Sequence, residues 1–115
     1  LDCLFFLSKI FTTTDTISRD VSLDESQFNN HIINHPEMIN QEDCIKNTIE
    51  NPDCIFESSY NSVRDVYFSK GMHNLLTEKY VKVVVDFSDP NEGFVVSAWT
   101  TDKVSTSIGA CKYVK

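Results

Sequence analysis

Two β-rich runs dominate the C-terminal third of the chain, Tyr80-Val-Lys-Val-Val-Val-Asp-Phe87 and Phe94-Val-Val-Ser-Ala-Trp-Thr-Thr101. They flank the turn-forming stretch Ser88-Asp-Pro-Asn-Glu-Gly93, so the pattern predicts a β-hairpin. Strict alternation in the second run puts Phe94, Val96 and Ala98 on one face. Val95, Ser97, Trp99 and Thr101 then share the other. The first face suits a core. The second presents two hydroxyls and an indole in a row, more than a sheet needs to stay folded.

Upstream, Ser18–Leu23 reads as a short strand, and Asp24 with Gln27 three residues on approximates a capping box. The predicted helix carries Phe28, Ile32 and His35 on one stripe and stops or kinks at Pro36. A second helix is predicted from Gln41 to before Pro52, with Ile45 and Ile49 on one face. Strands are predicted over Cys54–Glu57, Val63–Lys70, Tyr80–Phe87 and Gly93–Thr101. Thr12–Thr16 reads as a polar loop, and the last dozen residues give no clear pattern. Helices followed by a meander predict an α+β fold, with N-terminal helices packed on a four- to five-stranded antiparallel sheet. Residues 1–17 form an N-terminal extension in this reading, offering at most an extra strand or helix, and 18–115 a single domain.

Composition narrows the field. A chain of 115 residues suits one domain that buries a core without staples. No apolar run reaches the length of a membrane span, and Leu4–Leu7 is too short for a signal peptide. The missing initiator methionine leads us to expect a fragment of a longer protein. Four cysteines, Cys3, Cys44, Cys54 and Cys111, match no zinc or redox spacing. They read as buried or unpaired thiols, with a Cys44–Cys54 bridge conceivable for an exported domain. The net charge of −7 argues against gripping nucleic acid with the whole surface. A small local cluster of cations remains compatible with it.

The candidate chemistry begins with His31 and His35, four apart on the predicted helix and therefore neighbours. Ile32 stands where a metalloprotease motif needs glutamate, and spacing supplies no third ligand to a zinc pair. One histidine caps or packs beside Pro36, or serves as a general acid or base. Glu37 orients an imidazole or is simply solvated. Arg64 and Lys70 share a strand face by parity and suit phosphate positioning, or else act as edge charges that discourage aggregation.

Arg19-Asp-Val-Ser-Leu-Asp-Glu-Ser-Gln-Phe-Asn-Asn-His-Ile-Ile-Asn-His-Pro-Glu37 resembles the opening of small phage- and toxin-associated domains. The resemblance continues through Ile49–Ile55, Val66–Lys70, Tyr80–Val85 and Phe94–Asp102, roughly residues 18 to 103. These domains form the phage-type branch of the barnase, EndoU, colicin and RelE-like (BECR) ribonuclease folds. Serine replaces the family's usual threonine at Ser97, Trp99 replaces a tyrosine, and Phe28 stands where tryptophan is frequent.

The resemblance implies a metal-independent endoribonuclease without cofactor, a toxin effector that cleaves RNA such as tRNA in the cytoplasm after delivery from a larger secreted or phage protein. It points to His31, His35, Lys70 and Thr101 for catalysis, with Arg64, Ser97 and Trp99 as RNA-binding residues. A ribose 2′-hydroxyl would attack the adjacent phosphorus while an acid protonates the leaving 5′-oxygen. Trp99 would stack an unpaired base. The implied partner is a cognate immunity protein of local rather than global charge complementarity, the domain being a monomer when free. The competing expectation is a non-catalytic, acidic protein-interaction module on the same fold. One geometric tension follows from alternation alone: if Phe94, Val96 and Ala98 meet the helices, Ser97, Trp99 and Thr101 face away from the histidines.

Overall fold

The computed structural model describes residues 8–71, 79–104 and 108–115. The β-branched and aromatic runs form strands, and two further strands join them. The strands are β1 (Lys9–Thr14), β2 (Asp20–Asp24), β3 (Cys54–Ser58), β4 (Arg64–Lys70), β5 (Tyr80–Asp89), β6 (Glu92–Thr101) and β7 (Ile108–Val114). They make one sheet in the order β1-β2-β6-β5-β4-β3-β7. Neighbours are antiparallel except β2 and β6, which run parallel through Asp20–Ser22 and Glu92–Phe94.

This corrects the expected fold. Among the described residues the sheet is mixed and seven-stranded rather than antiparallel with four or five strands, and the α-helices are two short ones, α1 (Glu25–Asn30) and α2 (Glu42–Glu50). The first extra strand comes from Lys9–Thr14, whose threonines, read as loop for their polarity, are β-branched and suit an edge strand. The second is β7, which adds to β3 across a bulged register that sequence alternation does not reveal.

The predicted first helix also shortens. α1 ends at Asn30, and Ile32–Asn34 and Pro36–Met38 follow as single 3₁₀ turns. His35 between them is extended (φ −92°, ψ 100°), the geometry that a following proline imposes. The capping box is not made: the Asp24 side chain makes no cap hydrogen bond.

The helices and 3₁₀ turns cover one face of the sheet. Val21, Leu23, Ile55, Tyr67, Val81, Val83, Val85, Val95 and Ala98 meet Phe28, Ile32, Met38, Ile45 and Ile49 there. On the opposite face a smaller cluster gathers Cys54, Val66 and Phe68 with Phe56, Tyr80, Val84, Val104 and Ile108. Gly93 sits where a Cβ would lie 2.6 Å from the Phe87 ring, so the turn into β6 has room for glycine alone. Cys44, Cys54 and Cys111 are free thiols, so the conceivable Cys44–Cys54 bridge is not formed, and Cys3 lies outside the described residues. No helix among the described residues is long and apolar enough to cross a membrane.

A polar network pins the β1–β2 connection. Arg19 donates to Asp15 (3.0 Å), Asp65 (2.6 Å) and Tyr67 Oη (2.9 Å). Tyr67 Oη donates to Asp15 (2.5 Å), and Lys112 Nζ reaches Asp65 at 3.0 Å. Burial, then the bond to Asp15, pushes the Tyr67 phenol far above its ordinary value, so it stays protonated as a donor.

Ile49, fully buried, ties α2 to the sheet. Ile49→Ala is expected to lower unfolding free energy by about 2–5 kcal/mol, measured by urea titration with unchanged slope.

Candidate functional site

The site is built around an irregularity in β6. Val84 pairs with Ser97, but Val85 pairs with Val95, so one extra residue is inserted into β6. The bulge breaks the expected alternation. Val95 and Ala98 both enter the helix-side core, while Val96, Ser97 and Trp99 line a cleft on the opposite face. The cleft has a volume of about 390 Å³. Val66, Lys82 and Val84 also line it, with Arg64 at the start of β4 and Ser58, Tyr60 and Asn61 from the end of β3 and the β3–β4 connection.

Lys82 is the residue that the sequence reading passed over. It lies on β5 directly between Phe68 of β4 and Trp99 of β6, and its side chain is held between the two aromatics. Its Nζ is 4.7 Å from the indole centroid and 5.8 Å from that of Phe68. The residue is only 7 % exposed. No carboxylate among the described residues pairs with it, although every neighbouring strand carries acids. Burial lowers its pKa from the ordinary lysine value. The signal that marks it is a lysine inside an otherwise apolar run, Val81-Lys-Val-Val-Val85, flanked by valines on both faces of the strand.

The sheet also resolves the tension between Trp99 and the histidines. β2 pairs with β6 only as far as Phe94, which leaves the next seven residues of β6 without a strand on that side. The segment from α1 to Met38 packs along this free edge. Gln27 Nε2 donates to the Val96 carbonyl at 2.6 Å, and Glu37 accepts from Thr100 N–H (3.3 Å) and Oγ1 (3.2 Å). Burial works to raise the Glu37 carboxyl, but its own backbone N–H and the two donors of Thr100 outweigh that and hold it below the usual range. Glu37 is therefore neither simply solvated nor bonded to an imidazole; it caps a strand edge. Between these anchors, the His35 ring stacks on Trp99 with centroids 5.4 Å apart and planes 22° apart. His35 reaches round the edge that the helix face had seemed to close off.

The other anticipated residues divide. Arg64, Ser97 and Trp99 line the one cleft. Arg64 Nε also pairs with Asp86 at 3.0 Å, directly across the β4–β5 ladder. Lys70 has the parity of Arg64 but stands at the far end of β4, roughly 20 Å away at ~3.3 Å per residue. Its backbone N–H donates to Asp53 at 2.8 Å. Thr101 is off the cleft wall, and its hydroxyl donates to the Lys103 carbonyl at 2.8 Å. His31 is exposed at the end of α1, and its side chain makes no hydrogen bond or ring contact with the described residues. The two histidines are not helical neighbours, because the helix ends before the first of them. No three metal-binding side chains converge among the described residues. No protein-family model, curated protein or solved structure matches the chain.

Lys82 titrates with a definite sign. Its native pKa lies below the unfolded value, so the folded chain holds fewer protons across that interval. Stability therefore rises as pH climbs from the lowered native value toward the unfolded ~10.4. Lys82→Met removes this rise and should stabilise the domain at pH 7 by roughly 1 kcal/mol, read by urea titration at pH 7 and 10.

Trp99 is the single tryptophan of the chain, so its emission reports on this site alone. His35→Ala and Lys82→Met are expected to shift its intensity at neutral pH, and His31→Ala to leave it unchanged.

Proposed function

We propose that the cleft binds the phosphate backbone of RNA and cleaves it without a metal ion, as a toxin-type endoribonuclease of the BECR kind. The observation that carries this is Lys82, a buried cation on the cleft wall with no carboxylate partner among the described residues, standing against the same indole as a histidine. A lysine placed so has its charge reserved for something that enters from outside, and an anion satisfies it best. Arg64 and Ser97 on the same cleft supply further donors for phosphate oxygens. The resemblance over residues 18 to 103 supports the same chemistry.

In this reading the 2′-hydroxyl oxygen attacks phosphorus and gives its proton to His35. The bond from phosphorus to the 5′-oxygen breaks, leaving a 2′,3′-cyclic phosphate. Lys82 returns a proton to the departing 5′-oxygen, and its burial makes it a readier donor than a solvated lysine. Arg64 and Ser97 hold the non-bridging oxygens. The catalytic set becomes Lys82 on the cleft wall and His35 stacked on the Trp99 indole that lines it, in place of His31, Lys70 and Thr101.

An acidic protein-interaction module is the second reading, favoured by the net charge of −7. The two separate on one experiment with total tRNA and rRNA in EDTA. The nuclease reading expects cyclic phosphate ends, a fall of about 100-fold or more in His35→Ala and in Lys82→Met, and near-normal rates in His31→Ala and Lys70→Ala. Intact RNA with a folded wild-type domain overturns the nuclease reading and leaves the interaction module.

A further inference from the structure

A lysine amine is a nucleophile once its proton is gone, and its neighbours decide how often that happens. Four lysines stand beside carboxylates that favour the charged form: Lys9 near Glu92 (4.0 Å), Lys79 on Asp102 (2.9 Å), Lys112 on Asp65 (3.0 Å) and Lys115 near Asp53 (4.0 Å). Lys82 is placed in the opposite way. No carboxylate among the described residues pairs with it, and the cleft wall around it carries Val66, Val84 and Val96. Its side chain is held between Phe68 and Trp99, so the amine is kept in one place at the edge of the cleft. Burial also loosens its hold on the proton, which leaves more free amine near neutral pH than a solvated lysine has.

The same cleft holds a second cation at a useful separation. Arg64 pairs across the ladder with Asp86, four β5 positions from Lys82, or about 13 Å along the strand at ~3.3 Å per residue. Its Nε is taken by Asp86 at 3.0 Å, and its terminal amino groups have no partner among the described residues. Two long side chains that line one cleft from those positions leave between them the length of a small molecule. The cleft volume of about 390 Å³ lies at the lower end of pockets that take small organic ligands. Its mostly apolar wall suits a short hydrocarbon or aromatic body with a polar group at each end.

We infer that Lys82 is a covalent site, which condenses with a small aldehyde whose anionic end rests on Arg64. The lone pair of the free amine adds to the carbonyl carbon, and the π pair of the C=O bond moves to oxygen. A proton from the nitrogen passes through solvent to that oxygen and gives a carbinolamine. The hydroxyl then departs as water while the nitrogen lone pair forms the C=N bond of an imine. One water is released, and nothing is oxidised or reduced. The reaction needs only the amine and the cleft, so it stands apart from the nuclease reading.

The test treats the wild-type domain at neutral pH with 4-formylbenzoate, reduces any imine with cyanoborohydride, and maps the adduct by peptide mass spectrometry. Lys82 should be labelled about 10-fold or more faster than the exposed Lys103. The methyl ester of the same aldehyde, which lacks the charge, should label Lys82 roughly 3- to 10-fold more slowly, and Arg64→Met should bring acid and ester to one rate. Lys82→Met should leave only the slow background. An adduct spread evenly over the lysines of the wild type overturns the covalent site, and equal rates for acid and ester overturn the anionic ligand. RNA cleavage by the untreated domain is scored beside it. Selective labelling of Lys82 with RNA intact keeps this inference and removes the nuclease; RNA cut without a preferred adduct does the reverse.

Discussion

The unpaired edge of β6 governs the arrangement of this molecule. β2 runs parallel to β6 for three residues and then turns away into α1, so the backbone groups beyond Phe94 lose their strand partner. Buried backbone polar groups without partners are costly, and here side chains take the place of a strand. Gln27 satisfies the Val96 carbonyl and Glu37 the Thr100 N–H. Those two residues bracket the segment that carries His35. Capping the edge and delivering the imidazole to Trp99 are therefore the same structural act.

The bulge in β6 and the rung Phe68–Lys82–Trp99 work against the simplest packing of the sheet. A regular strand would send Val96 inward and an apolar side chain at position 82 would fill the space between two aromatics. Instead the strand gains a residue, and a lysine is buried between two π faces. Local departures of this kind, a strand irregularity and a buried cation in one place, are where folds give up stability for chemistry. The Arg19 network shows the contrast: it is equally polar, but its cations meet carboxylates, and it ties chain segments together.

Much of the secondary structure was legible because its causes are local. β-branched runs placed β3 to β6 within a residue or two, and Pro52 closed α2. What local pattern lacked was pairing. The parallel β2–β6 contact and the β3–β7 pairing depend on residues fifty or more positions apart, so a four- or five-stranded antiparallel sheet was the natural misreading. Arg64, Ser97 and Trp99 were singled out by residue type, and the fold brings the three to one cleft. His31 and Lys70 fitted the same types equally well, and only the end of α1 and the length of β4 set them apart. Lys82 hid inside an apolar run, where a lysine reads as the solvent side of an ordinary strand until the neighbours on both flanks are known.

The topology also sets an order of events for a chain emerging from the ribosome. The cleft draws its walls from Ser58 through Trp99, and the edge that carries His35 has nothing to cap until β6 exists. Closing the β2–β6 loop precedes any reward from its contacts, so nucleation is non-local and the entropy of closure is met late. A nascent chain therefore has no cleft until β6 has emerged and joined the sheet.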